Sequence, residues 1–246
     1  MKTQYNGPEM NGRKLLVLLL TAAVILTLFL LRYRNHRLSD DTASIHEREM
    51  VRQYVDISEY DSLIRAHEDS IADWYLLSAI AYVESKFDTT LVSPAGAVGL
   101  MQIMPSTYNG ILLEMGKDTT LRSSELDVEV AVHYLHKLND MFDFIDQEER
   151  LNYILGSYNC GAGHVFDAMR LARRDGICRY NWASLTSVLK SLSEEKVYTD
   201  TLCRNGRFDA GETLRYVERV KQKYHEYRFL DLTFQASERI SENIKE

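Results

Sequence analysis

The sequence predicts a mostly α-helical folded domain preceded by one N-terminal transmembrane helix. Three observations carry this reading. Leu15 to Leu31 is an apolar run without a single charge. Beyond Ile57 the apolar residues recur at helical spacing, and no alternating stretch of useful length competes. Only 3 prolines and 12 glycines occur among 246 residues, which disfavours an all-β sandwich with its many turns.

Residues 1–14 read as a short tail and 15–31 as the membrane anchor, closed by Arg13, Lys14 and Arg32. The run sits at the short end of the roughly 17–25 residues that span a bilayer. A cleaved signal peptide is the rival reading. Its apolar core runs to about 7–15 residues and small residues follow it. Here Arg32-Tyr33-Arg34 follows, with no A-x-A pattern and no nearby Cys for a lipid. A buried core helix would not be apolar on every face. Positive charges flank both ends, so the positive-inside rule discriminates little. The short tail is the easier part to leave in the cytoplasm, which puts the body on the periplasmic side of the inner membrane. Residues 32–56 are polar and read as a juxtamembrane linker, 57–230 as the folded domain, and 231–246 as a C-terminal tail.

Within the domain, Asp73 is the expected N-cap of a helix over Trp74–Ser85. Ser93-Pro94-Ala95-Gly96 is loop chemistry. Pro105 opens the next helix and Gly116 closes it. Further helices are expected over Val128–Met141, Leu151–Tyr158, His164–Arg174, Ala183–Leu192 and Gly211–Tyr227, with 193–210 irregular.

Net charge is −7, but the first 37 residues carry +5, leaving an acidic body. Such a body has no electrostatic footprint for nucleic acid. Cys160, Cys178 and Cys203 are odd in number, so at least one is unpaired within the chain. A bridge between Cys178 and Cys203 is open in an oxidising compartment. The histidines form no ligand-spaced cluster, so no metal or organic cofactor is implied.

Four short segments carry chemistry. Glu84 ends the apolar run Ala79-Ile80-Ala81-Tyr82-Val83 in the last turn of its helix. Apolar surroundings and the negative end of the helix dipole both raise a carboxyl pKa, which suits an acid that must hold a proton near neutrality. Gly96-Ala97-Val98-Gly99-Leu100-Met101-Gln102-Ile103-Met104 allows close backbone approach and offers the donor and acceptor of Gln102. Tyr158-Asn159-Cys160-Gly161 presents two polar tips at a helix end. Glu212 and Tyr216 stand four apart, facing the same way on a helix. Taken singly, these are a solvated glutamate, a tight turn, a helix cap and an exposed pair.

Taken together and in order, they resemble the lytic transglycosylases of goose-lysozyme-like type. The resemblance rests on Glu84-Ser85-Lys86-Phe87, on Ser93 with Gly96-Ala97-Val98-Gly99-Leu100-Met101-Gln102, on Tyr158-Asn159-Cys160-Gly161, and on Glu212-Thr213-Leu214-Arg215-Tyr216-Val217. It implies a lysozyme-like helical domain with a substrate groove. It also implies cleavage of the bond between N-acetylmuramic acid and N-acetylglucosamine in peptidoglycan glycan strands, leaving a 1,6-anhydro end. Glu84 is then the acid and base. Ser93, Gln102, Met104, Tyr158, Asn159, Glu212 and Tyr216 are expected to line the groove. Cys160 stands where the family commonly has a small residue such as alanine, and 176–210 matches no motif. A muramidase on the same fold is the alternative, with Asp88 the nearest second carboxylate. A wall-binding scaffold without activity is a third reading, which the acid at 84 argues against. Protein partners are not indicated.

Overall fold

The computed structural model describes residues 57–117 and 122–243. The expected anchor at 15–31 and the linker up to residue 56 lie outside the described residues. Among the described residues no helix is long and apolar enough to cross a membrane. The described chain is helical. Its elements are α1 (Asp61–Arg65), α2 (Trp74–Ser85), α3 (Pro105–Glu114), α4 (Ser124–Met141), α5 (Gln147–Cys160), α6 (Ala162–Arg174), α7 (Trp182–Ser191), α8 (Glu195–Tyr198) and α9 (Ala210–Asn243). Only isolated bridges, Val92 with Val98 and Val98 with Ile103, interrupt the pattern.

The helix starts follow from their caps. The Asp73 carboxylate accepts the Leu76 amide at 2.8 Å and begins α2. Lys86, at φ 54°, ends it in a left-handed turn. Phe87 follows at φ 67°, a second non-glycine residue in that region, and the chain leaves α2 sharply. The helix α4 starts before the expected Val128, because Ser123 accepts the Leu126 amide and Glu125 and Asp127 suit the positive first turn. Likewise α5 starts at Gln147, with Glu148 and Glu149 in its first turn. The Glu149 carboxylate also takes the Trp182 amide at 3.0 Å and so fixes where α7 begins.

Three points of the sequence reading concern the later part of the chain. The stretch 193–210 is irregular apart from the single turn α8. The last helix runs on past Tyr227 to Asn243, so the segment set apart as a tail from residue 231 continues it. Polar ties hold this helix to α2: Tyr224 donates to Asp73 at 2.8 Å, and Tyr75 donates to Asp231. The bridge considered between Cys178 and Cys203 is not formed. Cys178 is exposed, and the Cys203 thiol donates to the Val197 carbonyl at 3.3 Å.

The core gathers Leu77, Ile80, Leu100, Met101, Leu135, Leu138, Tyr153, Leu155 and Val217, all at or near zero exposure. The helix α9 packs most extensively on α2 and then on α5. Gly156 lets α5 and α7 meet, since a Cβ there would lie 2.5 Å from the Trp182 ring. This core holds the C-terminal ends of α2 and α5 beside the start of α9.

Candidate active site

A groove of about 540 Å³ opens where those three helix ends meet the loop between α2 and α3. Glu84, Ser93, Gln102, Met104, Tyr158, Asn159, Cys160 and Glu212 line it, together with Tyr134, Ser106 and Thr107. Of the residues expected from sequence to line the groove, all but Tyr216 are on its wall.

Glu84 is half-buried in the last turn of α2. Burial pushes its pKa up to about 7, against the pull of the Tyr216 hydroxyl and the Arg219 charge. The rise expected from its apolar run is therefore present. Tyr216 does not reach the groove wall. It is 2 % exposed and its hydroxyl makes no well-formed hydrogen bond among the described residues. It lies against Glu84, close enough to favour the carboxylate without a full bond. Four residues along α9 are about 40° off a common face. The boundary of the core falls within that offset, so Glu212 is exposed while Tyr216 is inside.

Glu212 is held by two arginines, Arg215 at 2.8 Å and Arg219 at 2.6 Å, and its pKa is lowered first by the Arg215 bond. It stays charged on the groove wall. Asp88 does not face the groove. Its carboxylate accepts the Thr90 amide at 2.8 Å and the Thr90 hydroxyl at 2.7 Å in an exposed turn.

The loop between α2 and α3 is held from several sides. Ser85, next to Glu84, donates to the Leu100 carbonyl at 2.8 Å and ties the helix end to the loop. Gln102 sits at φ 48°, a costly conformation for a non-glycine residue. Its amide nitrogen donates to Leu91 O at 2.9 Å and Gly99 O at 2.8 Å. The donor expected for a ligand is thus committed to the loop, and only its carbonyl oxygen is left to face one. Ser93 Oγ accepts the Ala97 amide at 2.9 Å. Tyr158 donates to the Met101 carbonyl at 2.9 Å and packs on Tyr134 at 5.4 Å between ring centres. Asn159 accepts from the Thr213 hydroxyl at 2.7 Å, which joins the third segment to the fourth.

Sequence reasoning missed Asp127. Its carboxylate accepts the Leu100 amide at 3.0 Å and pairs with Arg122 at 2.6 Å, and Arg122 also donates to Val98 O. Gly99, at φ 82°, passes directly over it, since a Cβ there would lie 2.1 Å from Asp127 Oδ2. That contact explains the second glycine of the motif. The available signal was a carboxylate between Leu126 and Val128, inside an apolar stripe. The Cys160 thiol, facing the groove, is pushed up by burial to about 12 and stays protonated.

Fold and groove define a class: a lysozyme-like helical domain with one half-buried acid at a helix end and an open, polar-walled groove. Comparison with known proteins narrows this. Residues 61–180 match the family described as the transglycosylase SLT domain. A membrane-bound lytic murein transglycosylase F from Desulfosudis oleivorans is 39% identical over 153 residues, covering 62% of this chain and 32% of that protein. One from Actinobacillus pleuropneumoniae serotype 7 is 30% identical over 194 residues, covering 78% of this chain and 38% of that protein. The 70 kDa soluble lytic transglycosylase of Escherichia coli shares the fold, with a TM-score of 0.50 at 20% identity over 69% of this chain and 24% of that chain. Over residues 61–180 the chain is thus similar to the lytic transglycosylases. The matches span about a third of the length of these curated relatives.

Proposed function

We propose that the chain is a peptidoglycan lytic transglycosylase in which Glu84 is the general acid and then the base. The observation that supports this most is one groove carboxyl raised to about 7 beside another held charged. Glu84 gives its proton to the glycosidic oxygen as the C1–O bond to the muramic acid breaks. Its carboxylate then takes the proton of the muramic C6 hydroxyl as O6 closes on C1. Proton and electron pair return to their starting places, and no water is consumed. Gln102, Ser93 and Asn159 hold sugar hydroxyls and acetamides, Tyr158 braces the wall through Met101, and Met104, 41 % exposed, supplies an apolar rim. Tyr216 acts through Glu84 as a positioning residue.

Hydrolysis as a muramidase is the second reading, favoured by one observation: Glu212 lines the same groove. Its two arginines leave it poorly suited to activating water. The membrane anchor at 15–31, the linker to 56 and a periplasmic domain from 57 belong to the proposal as well. They accord with the membrane-bound description of the relatives.

The test is mass spectrometry of fragments released from purified peptidoglycan by the full-length chain in detergent. Ends of 1,6-anhydro-muramic acid, one water lighter than hydrolytic ends, are expected. Reducing muramic ends would make the protein a muramidase. Glu84→Gln is expected to lower turnover at least about 1000-fold. Wild-type kcat/KM is expected to fall as pH rises past about 7, where the acid loses its proton.

A further inference from the structure

Glu212 on the groove wall is held by more arginine than one carboxylate needs. Arg215 alone covers Oε2 with two N–H groups, from Nε at 3.2 Å and from Nη2 at 2.8 Å. Arg219 adds a single bond, from Nη2 to the other oxygen, Oε1, at 2.6 Å. All three side chains are more than half exposed, so packing locks neither arginine in place. With Arg219 swung away, Glu212 keeps both bonds to Arg215.

The two arginines differ in where they stand. At about 100° per residue, Glu212 lies about 40° and Arg219 about 60° from the direction of Tyr216, in the same sense of rotation, and Arg215 about 100°. Tyr216 lies against Glu84. Arg219 is therefore the arginine on the Glu84 side, and of the two it alone acts on that carboxyl. The other titratable groups facing Glu84 are the hydroxyls of Tyr216 on α9 and Tyr158 on α5, both pushed far up by burial and neutral. The groove loop brings only uncharged side chains to the wall, Ser93, Gln102 and Met104 among them.

One moment of the reaction calls for a cation here. When Glu84 gives its proton to the glycosidic oxygen, the C1–O electron pair goes to that oxygen and a negative charge is left at 84. The charge stays until the C6 hydroxyl returns a proton. A half-buried carboxylate without a partner is costly to form.

We infer that Arg219 is the counter-ion of the Glu84 carboxylate: it leaves Glu212 to Arg215 and turns to Glu84 as the glycosidic bond breaks. It touches neither the sugar nor the reacting atoms, so it is a positioning residue. Between turnovers Glu212 stores its guanidinium. This rests on the reading of Glu84 as the acid.

The experiment compares Arg219→Gln with Arg215→Gln in the full-length chain in detergent. Each takes one arginine from Glu212, but only the first takes charge from Glu84. Arg219→Gln is expected to lower kcat about tenfold with KM held, and to move the alkaline limb of kcat/KM up by about half a pH unit. Arg219→Lys is expected to restore most of both. Arg215→Gln is expected to leave the alkaline limb in place. In parallel, carbon-13 NMR of labelled glutamate carboxyls follows the titration of Glu84 without turnover, its signal identified by its loss in Glu84→Gln. Its midpoint should rise in Arg219→Gln and stay put in Arg215→Gln. A midpoint unmoved by Arg219→Gln, or moved as far by Arg215→Gln, would overturn the proposal, as would full turnover in Arg219→Gln or a loss that lysine fails to restore. Full turnover in Glu84→Gln would instead overturn the reading of Glu84 as the acid, and the titration would still decide which carboxyl Arg219 serves.

Discussion

Two irregular segments of this domain are each pinned by one carboxylate on a neighbouring helix, and they are pinned differently. Asp127 holds the groove loop through the Leu100 amide and Arg122. Asp167, on α6, holds the excursion between α7 and α9 through the Arg204 and Asn205 amides, the Asn205 side chain and Arg170. Burial pushes both pKa values up. At Asp127 it wins over Arg122, the Leu100 amide and Tyr108, and the pKa ends raised. At Asp167 the Asn205 side chain, the two amides and Arg170 outweigh it, and the pKa ends lowered. The heavier desolvation of Asp127 and the fuller set of donors around Asp167 together set the two signs. The excursion therefore rests on a carboxylate better satisfied in its charged form, whereas the groove loop rests on one held against its desolvation.

The strongest way to break this comparison is Asp167→Asn. An amide there turns an NH₂ towards backbone donors and is expected to cost about 3 kcal/mol, read as a fall in denaturation midpoint. Cleavage of purified peptidoglycan per folded molecule should be unchanged. Gly99→Ala comes next. A methyl group set against Asp127 at a positive φ is expected to cost about 2 kcal/mol and about fiftyfold in turnover. Asp127→Asn should cost only about 1 kcal/mol, because its charge is already disfavoured, yet lower turnover about tenfold by loosening the groove loop. If Asp127→Asn proves the more destabilising of the two carboxylate changes, the comparison is wrong.

The smallest effect is a difference in acid behaviour. Asp167, with its lowered folded pKa, contributes stability above pH 3.8 that is lost as pH falls through the folded value. Asp127, with its raised folded pKa, does the reverse: stability falls as pH rises from 3.8 through the folded value. Each Asn variant should flatten its own part of a plot of stability against pH, in opposite directions.

Much of this domain was legible in the chain. Asp73 caps its helix from within three residues and was read directly from spacing, whereas Ser123 and Asn181 cap in the same way and were passed over for apolar residues further on. The groove residues came from four segments whose order identified a family rather than from any one residue's chemistry. The pins were not legible. Asp127 meets Leu100 across 27 residues and Asp167 meets Asn205 across 38, and nothing near either carboxylate announces the partner. The split of Glu212 from Tyr216 escaped because helical spacing fixes angular neighbourhood, not where the surface falls. The length of α9 escaped because its anchor, Tyr75, lies 156 residues earlier.

Glu84 is made early in the chain, but the groups that tune it are made late. The helix that packs most extensively on α2 is α9, and its Tyr216 and Arg219, which pull the pKa of Glu84 back down, follow it by more than 130 residues. During synthesis the carboxyl at 84 emerges well before the hydroxyl and the guanidinium that draw its pKa back from the rise set by burial, so its final setting waits on the last helix.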